Sequence, residues 1–190
     1  MKYAKDHANE HGKAHRRLDL KAFALSGSEM MEHDLLSKYE RIMQETKGLG
    51  ADFAVEWVAR GALRPGANGQ DQVWLHLTVG ASVPLTCQRC LGPVDVALSI
   101  DRDFRFVGDE KTAETEDDES EEDVLVLSRD FDLQSLIEDE LLMALPLVPR
   151  HETCPKPVKL EAVDPDFEAV APEKANPFAI LAKLQGGKSS

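Results

Sequence analysis

From Ala51 to Val107 apolar residues recur at every second position, and this alternation constrains the fold more than any other feature of the chain. Phe53, Val55 and Trp57 alternate with Ala54, Glu56 and Val58. Val73, Leu75, Leu77 and Val79 then share one face, with Trp74, His76 and Thr78 on the other, and Val94, Val96 and Leu98 resume the pattern before Phe104 to Val107. Successive side chains of a strand point to opposite faces, so a period of two marks half-buried strands. The turn-forming run Arg64-Pro-Gly-Ala-Asn-Gly69 separates the first two. Short connections imply antiparallel neighbours. The expected class is α+β: an antiparallel meander over about 51–107, extended by Val124–Leu127 and covered by two amphipathic helices.

Those helices follow from a different period. Ser26 stands three positions before Glu29, as in a capping box, and Met31, Leu35, Tyr39, Ile42 and Thr46 follow at helical spacing, giving a helix over 29–47. Asp132 is a good N-cap, with Phe131 before it and Leu136 placed as a hydrophobic staple. Leu133, Leu136, Ile137, Leu141, Ala144 and Leu145 then share a side, giving a helix over 132–145 that Pro146 and Pro149 end. Glu138, Asp139 and Glu140 read as its solvated face. Leu18–Phe23 reads as a short strand or docked segment, His76 as a surface histidine, and Trp57 and Trp74 as sheet-packing residues that on an open face would stack bases.

At 190 residues with 42% hydrophobic content, the chain supports one domain with tails. Residues 1–17 read as a flexible basic tail whose His7, His11 and His15 lack a stable helix to carry them. Residues 18–154 form the α+β domain, 155–174 a linker, and 175–190 a short C-terminal helix and tail, with Asn176 as its cap and Phe178, Leu181 and Leu184 on one side. The net charge of −13 is concentrated: ten acids against Lys111 alone lie between Asp109 and Asp123. Residues 109–122 are expected to be a disordered acidic loop. No apolar run approaches the roughly 18 residues that span a bilayer. Three cysteines and no secretory signal suggest reduced thiols in the cytoplasm.

The chemistry-bearing motif is Cys87-Gln-Arg-Cys90-Leu-Gly-Pro93, lying between two strand-like runs. Two thiols three positions apart can face one point, and Gly92 is expected to let the backbone fold behind them. After the Asp132 helix comes His151-Glu-Thr-Cys154, again with a spacing of two between donors. Cys87, Cys90, His151 and Cys154 have the number and type of donors for tetrahedral zinc. Free thiols are the alternative. The sequence offers no P-loop, no ribonuclease constellation and no metal-carboxylate cluster, so it assigns no catalytic residue.

Cys87-Gln-Arg-Cys90, the run Asp132-Leu-Gln-Ser-Leu-Ile-Glu-Asp-Glu-Leu-Leu-Met-Ala-Leu-Pro146-Leu-Val-Pro149 and Asn176-Pro-Phe-Ala-Ile-Leu181 together resemble the YceD family. The resemblance implies a non-catalytic factor supporting synthesis, processing or stability of 23S ribosomal RNA and biogenesis of the large ribosomal subunit. Its implied partner is that RNA, a ribosomal protein or an assembly factor, with no membrane. Many relatives carry further cysteines after the Ala-Leu-Pro helix that complete a four-thiol set; here His151 and Cys154 stand in that region. The competing class is a cytoplasmic thiol-redox protein using Cys87 and Cys90, with Arg89 lowering a thiol pKa. Against it, the CxxC lies between strands rather than opening a helix.

Overall fold

The computed structural model describes residues 17–66, 69–118 and 120–155, all within the first of two compact units of the chain, residues 1–156. The histidines of the N-terminal tail, the linker and the C-terminal helix read from 175–190 lie outside the described residues. Among the described residues, strands β2 (Glu29–Leu35), β3 (Ala54–Pro65), β4 (Asp71–Thr86), β5 (Pro93–Val107) and β6 (Asp123–Val126) form one sheet in that spatial order. A small second sheet pairs β1 (Arg17–Leu18) with β7 (Phe131–Asp132). The class is α+β with a mostly antiparallel sheet, as the alternation requires.

The period-two runs fall where they were read. Trp57 pairs with Val79, Val79 with Ile100, and Leu75 with Phe104, so the apolar sets of β3, β4 and β5 line one face. Val55, Leu75, Leu77 and Val83 are fully buried there. Helix α1 (Leu20–Leu25) lies on this face. A Cβ at Gly61 would stand 2.6 Å from the Phe23 ring and 2.9 Å from the Ala24 backbone, so only glycine lets α1 approach β3 this closely. Asp19 caps α1 by accepting from the Ala22 N–H.

Several expectations change. The helix over 29–47 is instead strand β2, a 3-10 turn at Leu36–Lys38 and the short helix α2 (Glu40–Glu45). Ser26 does not begin a helix; it ends α1, its hydroxyl donating to the carbonyls of Ala22 and Phe23. The tertiary partner decides the conformation. In β2 the Asp34 carboxylate accepts from Trp57 Nε1 and from Tyr39 OH, each at 3.0 Å, and pairs with Lys38. A helix over the same residues would forfeit the β3 ladder that brings Trp57 there. Met31 and Leu35, two of the five residues read at helical spacing, are 59% and 50% exposed.

The acidic segment is not a loop throughout. It carries α3 (Glu110–Asp117), capped by Asp109 accepting from the Thr112 N–H, with Ala113 buried. The cause is Arg105, which is itself buried on β5. Its guanidinium donates to Glu116, to Glu122 at 2.9 Å and to Ser120 at 2.8 Å. The excess of acid is thus partly spent on one buried cation. Strand β6 returns beside β5 in parallel, not as another antiparallel arm of the meander, because α3 carries the chain back before it pairs.

Helix α4 (Leu133–Met143) matches the expected core-facing helix, capped by Asp132 accepting from the Ser135 N–H at 3.0 Å. Phe131 sets its ring edge-on to Phe106, with centroids 5.4 Å apart. Its acids are not a solvated face. Glu138 is buried and accepts from the Arg41 backbone N–H at 2.6 Å and from Arg41 Nε at 3.1 Å, tying α4 to α2. Glu140 is buried with Arg102 Nη1 3.8 Å away, and burial raises its pKa above the usual carboxylate value.

Candidate metal centre

β4 ends at Thr86 and β5 begins at Pro93, leaving six residues to reverse the chain. Cys87 closes the turn from both sides: its N–H donates to the Gly92 carbonyl at 2.8 Å, and its carbonyl accepts from the Leu91 N–H at 2.9 Å. The left-handed residue is Leu91, at φ 58°, not Gly92. Gly92 is not demanded by space either, since a Cβ there would meet only Cys90 Sγ at an ordinary contact distance of 3.6 Å. The segment after α4 is fastened to this turn by the Gln88 N–H, which donates to the Pro149 carbonyl at 2.8 Å. Pro146 and Pro149 stop the helix and deliver His151 and Cys154 to the thiols.

All four residues read from the sequence come together. One donor atom from each of Cys87, Cys90, His151 and Cys154 lies within 4.8 Å of every other. Cys90 Sγ is 3.5 Å from His151 Nδ1. A tetrahedral site with zinc–sulfur bonds of 2.3 Å needs its sulfurs about 3.8 Å apart, so a small contraction suffices. Cys87 is buried and the other three are partly buried, which gives the closed character of a structural site.

The electrostatics favour a thiolate. Burial pushes the Cys87 thiol up, but backbone N–H groups of Cys90, His151 and Arg89, together with the His151 side chain, bring it down to about 5. The Arg89 contribution is therefore its amide rather than its guanidinium. Cys154 is shifted the other way, by burial and then by its sulfur neighbours Cys90 and Cys87. Three sulfurs converging on one point cannot all ionise without a cation among them. The supporting amides and the Pro149 carbonyl were not legible in the sequence, because backbone groups carry no residue signal.

The other candidates are placed elsewhere. His76 is not isolated: Nδ1 is 3.0 Å from Asp103, and Asp103 also takes a two-pronged contact from Arg64 at 3.1 Å. Arg64 in turn lies over the Trp74 ring at 4.3 Å. Trp57 is buried. Trp57 therefore offers no face to a base, and Arg64 occupies one face of Trp74. Among the described residues no helix is long and apolar enough to cross a membrane.

Fold and site define an α+β domain in which a Cys3His donor set joins a strand turn to the segment following a helix. The chain belongs to the family described as Large ribosomal RNA subunit accumulation protein YceD, whose sequence model matches residues 75–185 and so takes in all four donors. It is 33% identical over 110 residues to the Large ribosomal RNA subunit accumulation protein YceD of Haemophilus influenzae. That alignment covers 56% of this chain and 62% of the relative, less than two thirds of its length. No solved structure matches the chain.

Proposed function

We propose that this protein is a non-catalytic, cytoplasmic factor for accumulation of large-subunit 23S ribosomal RNA, and that Cys87, Cys90, His151 and Cys154 hold a structural zinc ion. Family membership across residues 75–185 carries the first part. The convergence of four donors from two distant segments supports the second. Zinc bound there cross-links the β4–β5 turn to the chain after α4, and its affinity becomes folding free energy. The backbone amides directed at Cys87 stabilise its thiolate as a ligand. The low Cys87 pKa also suits a redox thiol, but a fully buried sulfur offers little access to a disulfide substrate.

Metal analysis of the purified full chain should find one zinc per chain, and Cys87→Ser with Cys90→Ser should remove it and lower the melting temperature. Complementation of a deletion strain decides the rest. Unchanged melting with failed complementation would reject the structural role in favour of thiol chemistry. A normal ratio of large- to small-subunit ribosomal RNA in the deletion strain would reject the ribosomal role.

A further inference from the structure

Strand β2 ends its sheet, and among the described residues no element pairs with its other side. The Gly61 N–H donates to the Ser28 carbonyl and the Leu36 N–H to the Phe53 carbonyl, one bond at each end of the β2–β3 ladder. Bonded pairs of an antiparallel ladder recur at every second residue, so Met30, Glu32 and Asp34 direct their backbone groups at β3. Glu29, Met31, His33 and Leu35 therefore turn their N–H and C=O outward. Their side chains share the outer face of the sheet, opposite the buried Asp34. No proline, lysine or bulge blunts the strand, and Met31 is 59% exposed.

The outer face of this edge is complementary to itself about Met31. Glu29 stands opposite Arg60 in the β2–β3 register and is paired with it. His33 stands opposite Glu56, with Nδ1 3.4 Å from the carboxylate. A second β2 laid antiparallel, Met31 opposite Met31, brings Glu29 of each copy against His33 of the other. Across the joined sheets that row reads Arg60 and Glu29, then His33 and Glu56 of the second copy, so base and acid alternate. The row through the axis is apolar: Val58 and Met31, then Met31 and Val58 of the second copy. We infer that β2 is a homodimer edge, on which two copies of this chain pair antiparallel about Met31 over residues 29–33. The inference rests on neither the metal centre nor the ribosomal role.

Other registers match less well. Centring the pair on Glu32 or on Asp34 sets an acid against itself, and centring it on His33 sets Glu32 against Asp34. Centring it on Met30 keeps only residues 29–31 of each strand in the ladder. A foreign strand has no comparable match to find. Glu29 and His33 are the charged side chains on the outer face of β2, and each already has a partner within the chain.

Sedimentation velocity of the full chain over a rising concentration series tests this. A monomer–dimer equilibrium is expected, with amide-exchange protection over residues 29–33 growing as the dimer forms. Met31→Lys puts two ammonium groups beside the axis and should weaken dimerisation at least tenfold. Its melting should be unchanged at concentrations where the parent chain is monomeric. The register is read with a short bis-maleimide on Met31→Cys and Leu35→Cys, with the parent chain as control. Positions 31 stand about 5.5 Å apart across the axis, whereas positions 35 lie about 27 Å apart along the strands. Met31→Cys should therefore cross-link beyond the parent chain, and Leu35→Cys should not. A dimer that Met31→Lys leaves intact, or cross-linking through Leu35→Cys, would overturn the proposal. So would slow exchange over residues 29–33 at every concentration, since other residues of the chain would then cover the edge. A chain that stays monomeric with these amides unprotected leaves the edge to a different partner and equally overturns the homodimer.

Discussion

Asp34 and Cys87 are both buried polar groups that tie a loop to a strand, yet they are satisfied in different ways. Asp34 has its partners within the polypeptide: Lys38, Trp57 and Tyr39 surround one carboxylate. Burial acts to raise its pKa, but the hydrogen bonds from Lys38, Trp57 and Tyr39 together hold it below the usual carboxylate value. Cys87 has amide donors but also two sulfur neighbours, and the four donors converge closely enough to receive a cation. A complete hydrogen-bond network fixes a fold outright. A donor set that can take a metal lets binding add to folding free energy, as proposed for the cysteine turn.

The comparison breaks most visibly at Asp34. Asp34→Ala should cost about 3 kcal/mol in denaturant unfolding, because the Trp57 and Tyr39 donors lose a buried acceptor. A cost under about 1 kcal/mol would mean that water replaces the carboxylate. The lowered pKa fixes the sign of the pH dependence: this stabilisation is complete above the unfolded value of 3.8 and is lost as pH falls through the folded one.

At the cysteine turn a smaller effect of opposite sign is expected. Leu91 is 76% exposed and sits at φ 58°, a conformation that L residues adopt at a cost. Leu91→Gly should stabilise the protein by about 0.5 kcal/mol, the relief of strain exceeding the added unfolded-state entropy. A loss of stability on chemical unfolding would show that the exposed leucine makes a contact worth more than its strain.

Glu140 lies between these cases, being buried with a single distant cation. Burial raises its pKa above 4.5, so ionising it disfavours the folded state. Glu140→Gln should raise the melting temperature slightly at about pH 8, and the gain should shrink as pH falls through the raised value and vanish below about 4.5. A gain independent of pH would trace the effect to packing instead.

The sequence by itself determined the β3–β5 meander, the capped helix α4 and the four donors of the candidate metal centre. Each rests on a local regularity: a period of two, a cap with a periodic apolar side, or a spacing of two between ligands. Tertiary structure decided the rest. Residues 29–35 share their apolar spacing with a helix and became a strand because β3 offers a ladder and Trp57 offers Asp34 a donor. The acids of 110–122 were legible as charge, but the pairing of Glu116 and Glu122 with Arg105 was not, because no local pattern reveals the burial of Arg105. Glu138 and Glu140 occupy polar positions of a helix and are buried because α2 and β5 close over them. Periodicity reports which face of an element is apolar. The partner of a buried charge is set by residues distant in sequence, and only the folded chain brings them within hydrogen-bonding reach.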